Sequence, residues 1–359
     1  MRPKLGLLIV IAASIGSLWG IDVFLARTEH SEMLGEASRD YAAGSALLTQ
    51  GRAADALAPL RKAYSLDRSD RRSTLQLAAA LAGAGKLDEA GALLADLLEH
   101  NPNDGEANLA KARLLARQGD WENAFSYYHR AIYGSWNSNG LSEKVAARLE
   151  LATLLAQRGM QKDLLAEILP LETEAANNPD VLRRVAQLYL IAGSPARAEI
   201  VYHGLLRDNT DDPDLYRGLG EAELALGNYR VAEAAFQNAI RNGADRSQVE
   251  QKIQLAASVA ELDPTLRRIT SMEKFNRATR ILKLTLDALE LCGKGDAADQ
   301  VAEAENLLAA PVRGNPTNEL AEQRLSMAEQ LWHTRIKACG PSTSAEEESL
   351  RLVMAKIVQ

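Results

Sequence analysis

Residues 119–124 read GDWENA, and the pattern has near-echoes in GRAADA from position 51, GKLDEA from 85 and GNYRVA from 227. Adding Gly159 and Gly193 gives six recurring glycines, Gly51, Gly85, Gly119, Gly159, Gly193 and Gly227, with spacings of 34, 34, 40, 34 and 34 residues. A fixed period in this range marks a solenoid of stacked supersecondary units. The one long step contains six extra residues, 139–144 (NGLSEK), which read as a loop insertion between two units.

The register around each glycine is constant. Seven residues before it stand Gly44, Ala78, Ala112, Ala152, Ala186 and Gly220, all small. Five after it come Ala56, Ala90, Ala124, Leu164, Ala198 and Ala232. Nine after it come Leu60, Leu94, Tyr128, Ile168, Tyr202 and Phe236. Apolar residues three and four apart form one face of a helix. The glycine between two such patterns suits the left-handed residue that ends a helix. Small residues on both sides of it let two antiparallel helices approach closely, and the larger residue fills the space between hairpins. One hairpin cannot bury its apolar face alone, so neighbours must stack.

These features resemble the tetratricopeptide repeat family over about residues 37–245, in six units at about 37–70, 71–104, 105–138, 145–178, 179–212 and 213–246. The best-preserved unit is PDLYRGLGEAELALGNYRVAEAAFQNAIRNGAD, residues 213–245. The proline that often closes a unit occurs only as Pro102, replaced elsewhere by Arg68, Trp136, Ala176, Thr210 and Ala244, and Leu164 stands where a small residue is usual. The resemblance implies an all-α, right-handed superhelical solenoid of antiparallel helix pairs, and a protein-binding groove lined by the first helix of each unit. Carried across, the groove positions are Tyr41 and Ser45, Leu75 and Ala79, Leu109 and Arg113, Leu149 and Thr153, Arg183 and Gln187, and Arg217 and Glu221, with Arg117 nearby. That surface is apolar toward the early units and carries arginines toward the later ones. The lysine-and-asparagine clamp by which some members hold chaperone C-termini is absent. The third unit has an aromatic excess, Trp121, Phe125, Tyr127, Tyr128, Tyr133 and Trp136, read mainly as packing and otherwise as an exposed anchor.

The ends of the chain differ from its middle. After Arg2 and Lys4, residues 5–26 (LGLLIVIAASIGSLWGIDVFLA) carry Asp22 as their only charge, and about 20 apolar residues span a bilayer. The expectation is an uncleaved transmembrane signal-anchor, residues 1–4 cytoplasmic by the positive-inside rule, and the bulk of the chain extracytoplasmic, as in a bacterial periplasm. A signal peptide cut after Gly16 or Gly20 is the competing reading. Beyond 246 the period fails. Residues 247–359 read as a C-terminal helical bundle: a cap helix over 247–262, helices at about 271–292, 296–309 and 317–338, and a last helix over 344–357 opening with STSAEEE. Cys292 and Cys339 each end a helix, and an up-down-up arrangement puts them at one end, which favours a disulfide in an exported domain. Two buried free thiols are the alternative.

Signals for chemistry are sparse. AGAGKLD around Lys86 lacks the glycine at Ala80 and the hydroxyl at Leu87 that a phosphate loop needs. His30, His100, His129, His203 and His333 are scattered among themselves without metal-ligand spacing. No nucleophile elbow is present, and a net charge of −7 offers no footprint for nucleic acid. The expected function is therefore a non-enzymatic, membrane-anchored scaffold that binds a protein partner, with no cofactor, metal, nucleic acid or small-molecule substrate. The alternative is an accessory subunit of an envelope polysaccharide or secretion machine that acts through the C-terminal helices.

Overall fold

Glycine, alanine and leucine placed at a 34-residue period become helices and tight turns throughout. The computed structural model describes residues 3–137, 140–293, 297–312, 314–340 and 345–357, with backbone alone for 3–15, 18, 345 and 346. Seventeen helices and no strand occur among the described residues. They form an all-α helical-repeat solenoid that divides into two compact units, Met1–Gln157 and Arg158–Gln359.

The first unit holds α1 (Pro3–Thr49), α2 (Ala53–Leu66), α3 (Arg71–Gly83), α4 (Leu87–His100), α5 (Gly105–Gln118), α6 (Trp121–Tyr133) and α7 (Gly140–Gln157). Each helix packs on the next in order. Nothing between residues 27 and 36 breaks a helix, so α1 runs unbroken from the apolar segment into the first repeat. Among the described residues no helix is long and apolar enough to cross a membrane. Within the expected span over 5–26 the backbone is helical, and the side chains of positions 5–15 and 18 lie outside those described.

The loop expected over 139–144 is a correction. Asn139 lies outside the described residues, and from Gly140 onward the segment is helix, lengthening α7 to 18 residues against the 13 or 14 of α3 and α5. Leucine, glutamate and lysine at 141, 143 and 144 are good helix formers, so the extra residues add a turn at the N-terminus of the helix.

Repeat turns follow one device, seen at Gly119. Its φ of 79° lies in the left-handed region, and its amide bonds back to Ala116 while Asp120 N bonds to Leu115 O. This is the Schellman arrangement that satisfies terminal carbonyls, and a Cβ there would strain the backbone. The other five recurring glycines have φ between 68° and 77°, apart from Gly85 at 79°. First helices open on aspartate or asparagine caps, with Asp70, Asp104, Asn178 and Asp212 accepting amide protons from the first turn. Asp104 and Asp212 also bind arginines of the preceding first helix, Arg71 and Arg183.

The second unit begins with α8 (Gln161–Glu174), α9 (Pro179–Ile191), α10 (Pro195–Asp208), α11 (Pro213–Ala225) and α12 (Tyr229–Arg241). It continues through α13 (Arg246–Leu262), α14 (Ser271–Cys292), α15 (Ala298–Ala309), α16 (Asn318–Cys339) and α17 (Ala345–Ile357). Phe236, fully buried, sits over Gly220 of its own hairpin, whereas Tyr202 at the same register lies against Gly218 of the next. The large residue thus packs within hairpins as well as between them. Cys292 and Cys339 form a disulfide with Cα atoms 6.2 Å apart, joining the C-terminal ends of α14 and α16.

The chain's last helix folds back onto the end of the repeats. Leu350, Val353 and Met354 of α17 are buried against α13 and α14. Lys356 Nζ lies 2.6 Å from Asp263 Oδ2 and 3.5 Å from the Gly227 carbonyl. Burial pushes the Asp263 carboxyl up, but Lys356 and the Thr265 hydroxyl and amide outweigh it and hold it below 3.8. A depressed carboxyl stabilises the fold above its unfolded pKa, and that contribution is lost as pH falls through the folded value. Acidification through this lowered folded value is therefore expected to loosen α17 from Asp263. Hydrogen exchange of residues 345–357 across the acid range checks this, and Asp263→Asn should flatten that dependence.

Candidate functional site

In the first unit, the predicted groove positions are largely engaged within the fold. Leu75 and Leu109 are 7% and 6% exposed, in the packed interior, because the apolar stripe of α3 and α5 extends over them. They are corrected from surface contacts to core. Tyr41 is half-buried, with the Arg72 guanidinium 5.5 Å from its ring centre. Arg113 grips Glu150 of α7 through three contacts of 2.9, 3.1 and 2.6 Å, and the Tyr128 hydroxyl donates to the same carboxylate at 2.6 Å. Burial raises Glu150, but Arg113 and Tyr128 outweigh it and keep the carboxylate ionised, while burial and Glu150 push the Tyr128 phenol up. Arg117 is exposed, with no ion-pair partner among the described residues. Ala79 is exposed, and Ser45, Leu149 and Thr153 are half-buried.

The aromatic excess of the third unit divides in two. Tyr128 is 1% exposed, and Trp136 packs over Gly105 and donates from Nε1 to the Ala131 carbonyl at 3.0 Å. Trp121 and Phe125 are half-buried with ring centres 6.4 Å apart. Tyr133 is 72% exposed beside Pro102, His129 and Arg130 at the mouth of a 570 Å³ hollow. Arg148, itself buried, lies 5.5 Å from its ring centre.

The second unit brings predicted residues together. Gln187 on α9 and Arg217 and Glu221 on α11 line one pocket of about 410 Å³, with Tyr202 of α10 at its floor and Gln248 and Lys252 of α13 on its far wall. Arg217 pairs with Asp214 at 3.0 Å and donates to Gln248 at 2.9 Å, while Lys252 pairs with Glu221. Gly218 is required here, because a Cβ would collide with the Tyr202 ring. Burial, then Glu221, pushes the Tyr202 phenol up, so it stays a neutral donor at the pocket floor. Arg183 does not join this group: its guanidinium binds Asp212, the cap of α11, at 2.5 Å. Gln248 and Lys252 lie past the last repeat, where the period no longer marks a face. Their polar helical spacing after the Asp245 cap is the signal that identifies them.

These pocket walls carry side chains of both signs with amide and phenol donors between them. These groups offer hydrogen bonding and charge pairing. Residues 47–114 and 183–247 match tetratricopeptide repeat family models, which supports that family for this chain. Among solved structures the chain is similar to a tetratricopeptide repeat protein from Parabacteroides merdae ATCC 43184, with 18% identity, 62% of this chain and 99% of that one covered, and a TM-score of 0.28. It is similar to Pseudomonas aeruginosa pilF, with 17% identity, coverage of 77% and 99%, and a TM-score of 0.32. A further likeness is to the TPR2AB domain of yeast Sti1 in complex with pHSP90, with 15% identity, coverage of 84% and 98%, and a TM-score of 0.29. At these scores the likenesses carry no argument about function. No curated protein matches the chain.

Proposed function

We propose that the protein is a non-enzymatic scaffold, anchored in a membrane by residues 5–26, whose extracytoplasmic repeats bind a segment of a partner protein. The observation that carries this reading is the pocket on α9, α11 and α13, where repeat positions that face partners in this family converge on exposed polar groups. Tetratricopeptide repeat proteins typically mediate protein–protein interaction, and matched repeats lie on both sides of the chain's midpoint. The occupant is a polar segment with charges of both signs, because Arg217 and Lys252 stand beside Asp214 and Glu221.

The anchor is supported by the apolar run and by the exposure of the side chains in its second half. Trp19, Ile21, Phe24 and Leu25 are 71%, 56%, 65% and 56% exposed, a contiguous apolar surface that water does not favour. A photo-crosslinking side chain at Gln187 in the full chain is expected to trap a defined partner in cells. Arg217→Glu with Lys252→Glu should abolish that crosslink by reversing two charges. An unchanged crosslink refutes the pocket, and trapping only through α14–α16 favours the alternative accessory-subunit reading. Topology is checked by reporter fusions after Arg27 and after Gln359, for which cytoplasmic activity at both refutes export.

A further inference from the structure

Glu199 and His203 lie one turn apart on α10, on the same helical face, and α11 brings Glu223 against them. One donor atom of each lies within 4.8 Å of the other two, and Glu199 Oε1 is 3.9 Å from His203 Nε2. Donors in a tetrahedral site at about 2.1 Å from the ion stand about 3.4 Å apart, so small side-chain rotations suffice to close the set.

Glu223 makes the cluster more than a chance meeting of surface groups. It is 3% exposed, and its only hydrogen-bond donor among the described residues is Asn228 Nδ2 at 2.7 Å. Among the described residues no cationic side chain pairs with it. Burying an ionised carboxylate is costly without a compensating charge. Two other buried acids follow this rule, Asp104 on Arg71 and Asp263 on Lys356. The donors of Glu199 and His203 lie beside Glu223, where a bound cation would supply the compensating charge.

We propose that Glu199, His203 and Glu223 form a binding site for a divalent transition metal, with zinc the best match. One imidazole nitrogen and two carboxylates suit zinc and its neighbours, whereas calcium and magnesium prefer oxygen alone. Asn228 fixes the inner carboxylate, the kind of outer support that metal-bound ligands require. His203 is 56% exposed, leaving a fourth position to water. The ion would staple α10 to α11, the second helix of one repeat to the first helix of the next. No thiolate competes, because both cysteines are in the disulfide.

The test is calorimetric titration of zinc chloride into tag-free, chelator-stripped full-length protein without reductant, with melting curves in parallel. One zinc per chain and a raised melting temperature are expected. His203→Ala and Glu223→Gln should each weaken binding by roughly 100-fold, and Asn228→Ala by roughly tenfold. Melting in chelator should be unchanged for His203→Ala, since that side chain is outside the core. If Glu223→Gln fails to fold, the outer pair Glu199→Gln with His203→Ala, half-buried and exposed, decides in its place. Absence of saturable zinc binding overturns the site, as does an unchanged Kd in the His203→Ala or paired variant.

Discussion

Serine at both Cys292 and Cys339 is expected to lower the stability of the C-terminal helices by about 4 kcal/mol, the chain-entropy value for a loop of 47 residues. The bridge ties the ends of α14 and α16, whose opposite ends are linked by the Lys274–Glu322 ion pair at the surface. Between them Leu282, Leu289, Leu325 and Leu331 are buried, so the variant retains an apolar core and should still fold. The loss should stay local, because elements of a solenoid depend chiefly on their neighbours. Hydrogen exchange followed by mass spectrometry is the right measurement, since it localises the loss to the helices that the bridge joins. Protection should fall across residues 271–339 and hold across α3–α5. Equal protection in the serine variant, or alkylation of both cysteines before reduction, would sink the bridge as a stabilising element.

The recurring glycines were legible because a left-handed turn admits few other residues, and GDWENA shows that at Gly119. Aspartate caps such as Asp104 and Asp212 were equally readable, though their grip on Arg71 and Arg183 was not. Those partners lie 33 and 29 residues away, across a repeat, where local spacing carries no sign of contact. The 139–144 segment misled because a period registers extra residues without saying whether they leave the helix or lengthen it. Leu75 and Leu109 misled for a related reason. A family position identifies a side of the helix, but the width of the buried stripe depends on how closely neighbouring helices approach. Gln248 and Lys252 completed the pocket from a helix outside the period. Glu199 and His203 were within reach of a spacing search that allowed carboxylates, whereas Glu223 required the fold.

Phe236→Ala is expected to be the most damaging single substitution in the repeats, at about 3–5 kcal/mol. The ring is fully buried and belongs to a core that runs from Tyr229 through Val249 and Ala256 to the C-terminal helices. Its loss would therefore weaken the repeats and their cap together. The informative variant is on the other side of the contact. A Cβ at Gly220 would stand 2.6 Å from the Phe236 ring, so Gly220→Ala has two opposed effects. Alanine gains about 1 kcal/mol of helix propensity over glycine. Overpacking a filled core costs about 1–3 kcal/mol. The second should win, giving a net loss. The same register carries Ala112 and Ala186 in two other units, where alanine takes the place of glycine. The collision at Gly220 is with the Phe236 ring of the paired helix α12. Combining Gly220→Ala with Phe236→Leu should relieve it, with a favourable coupling of about 1 kcal/mol in a double-mutant cycle. Additive effects would mean that α11 and α12 simply move apart, and that the small residue before each repeat glycine is a helix-spacing preference with no fixed partner.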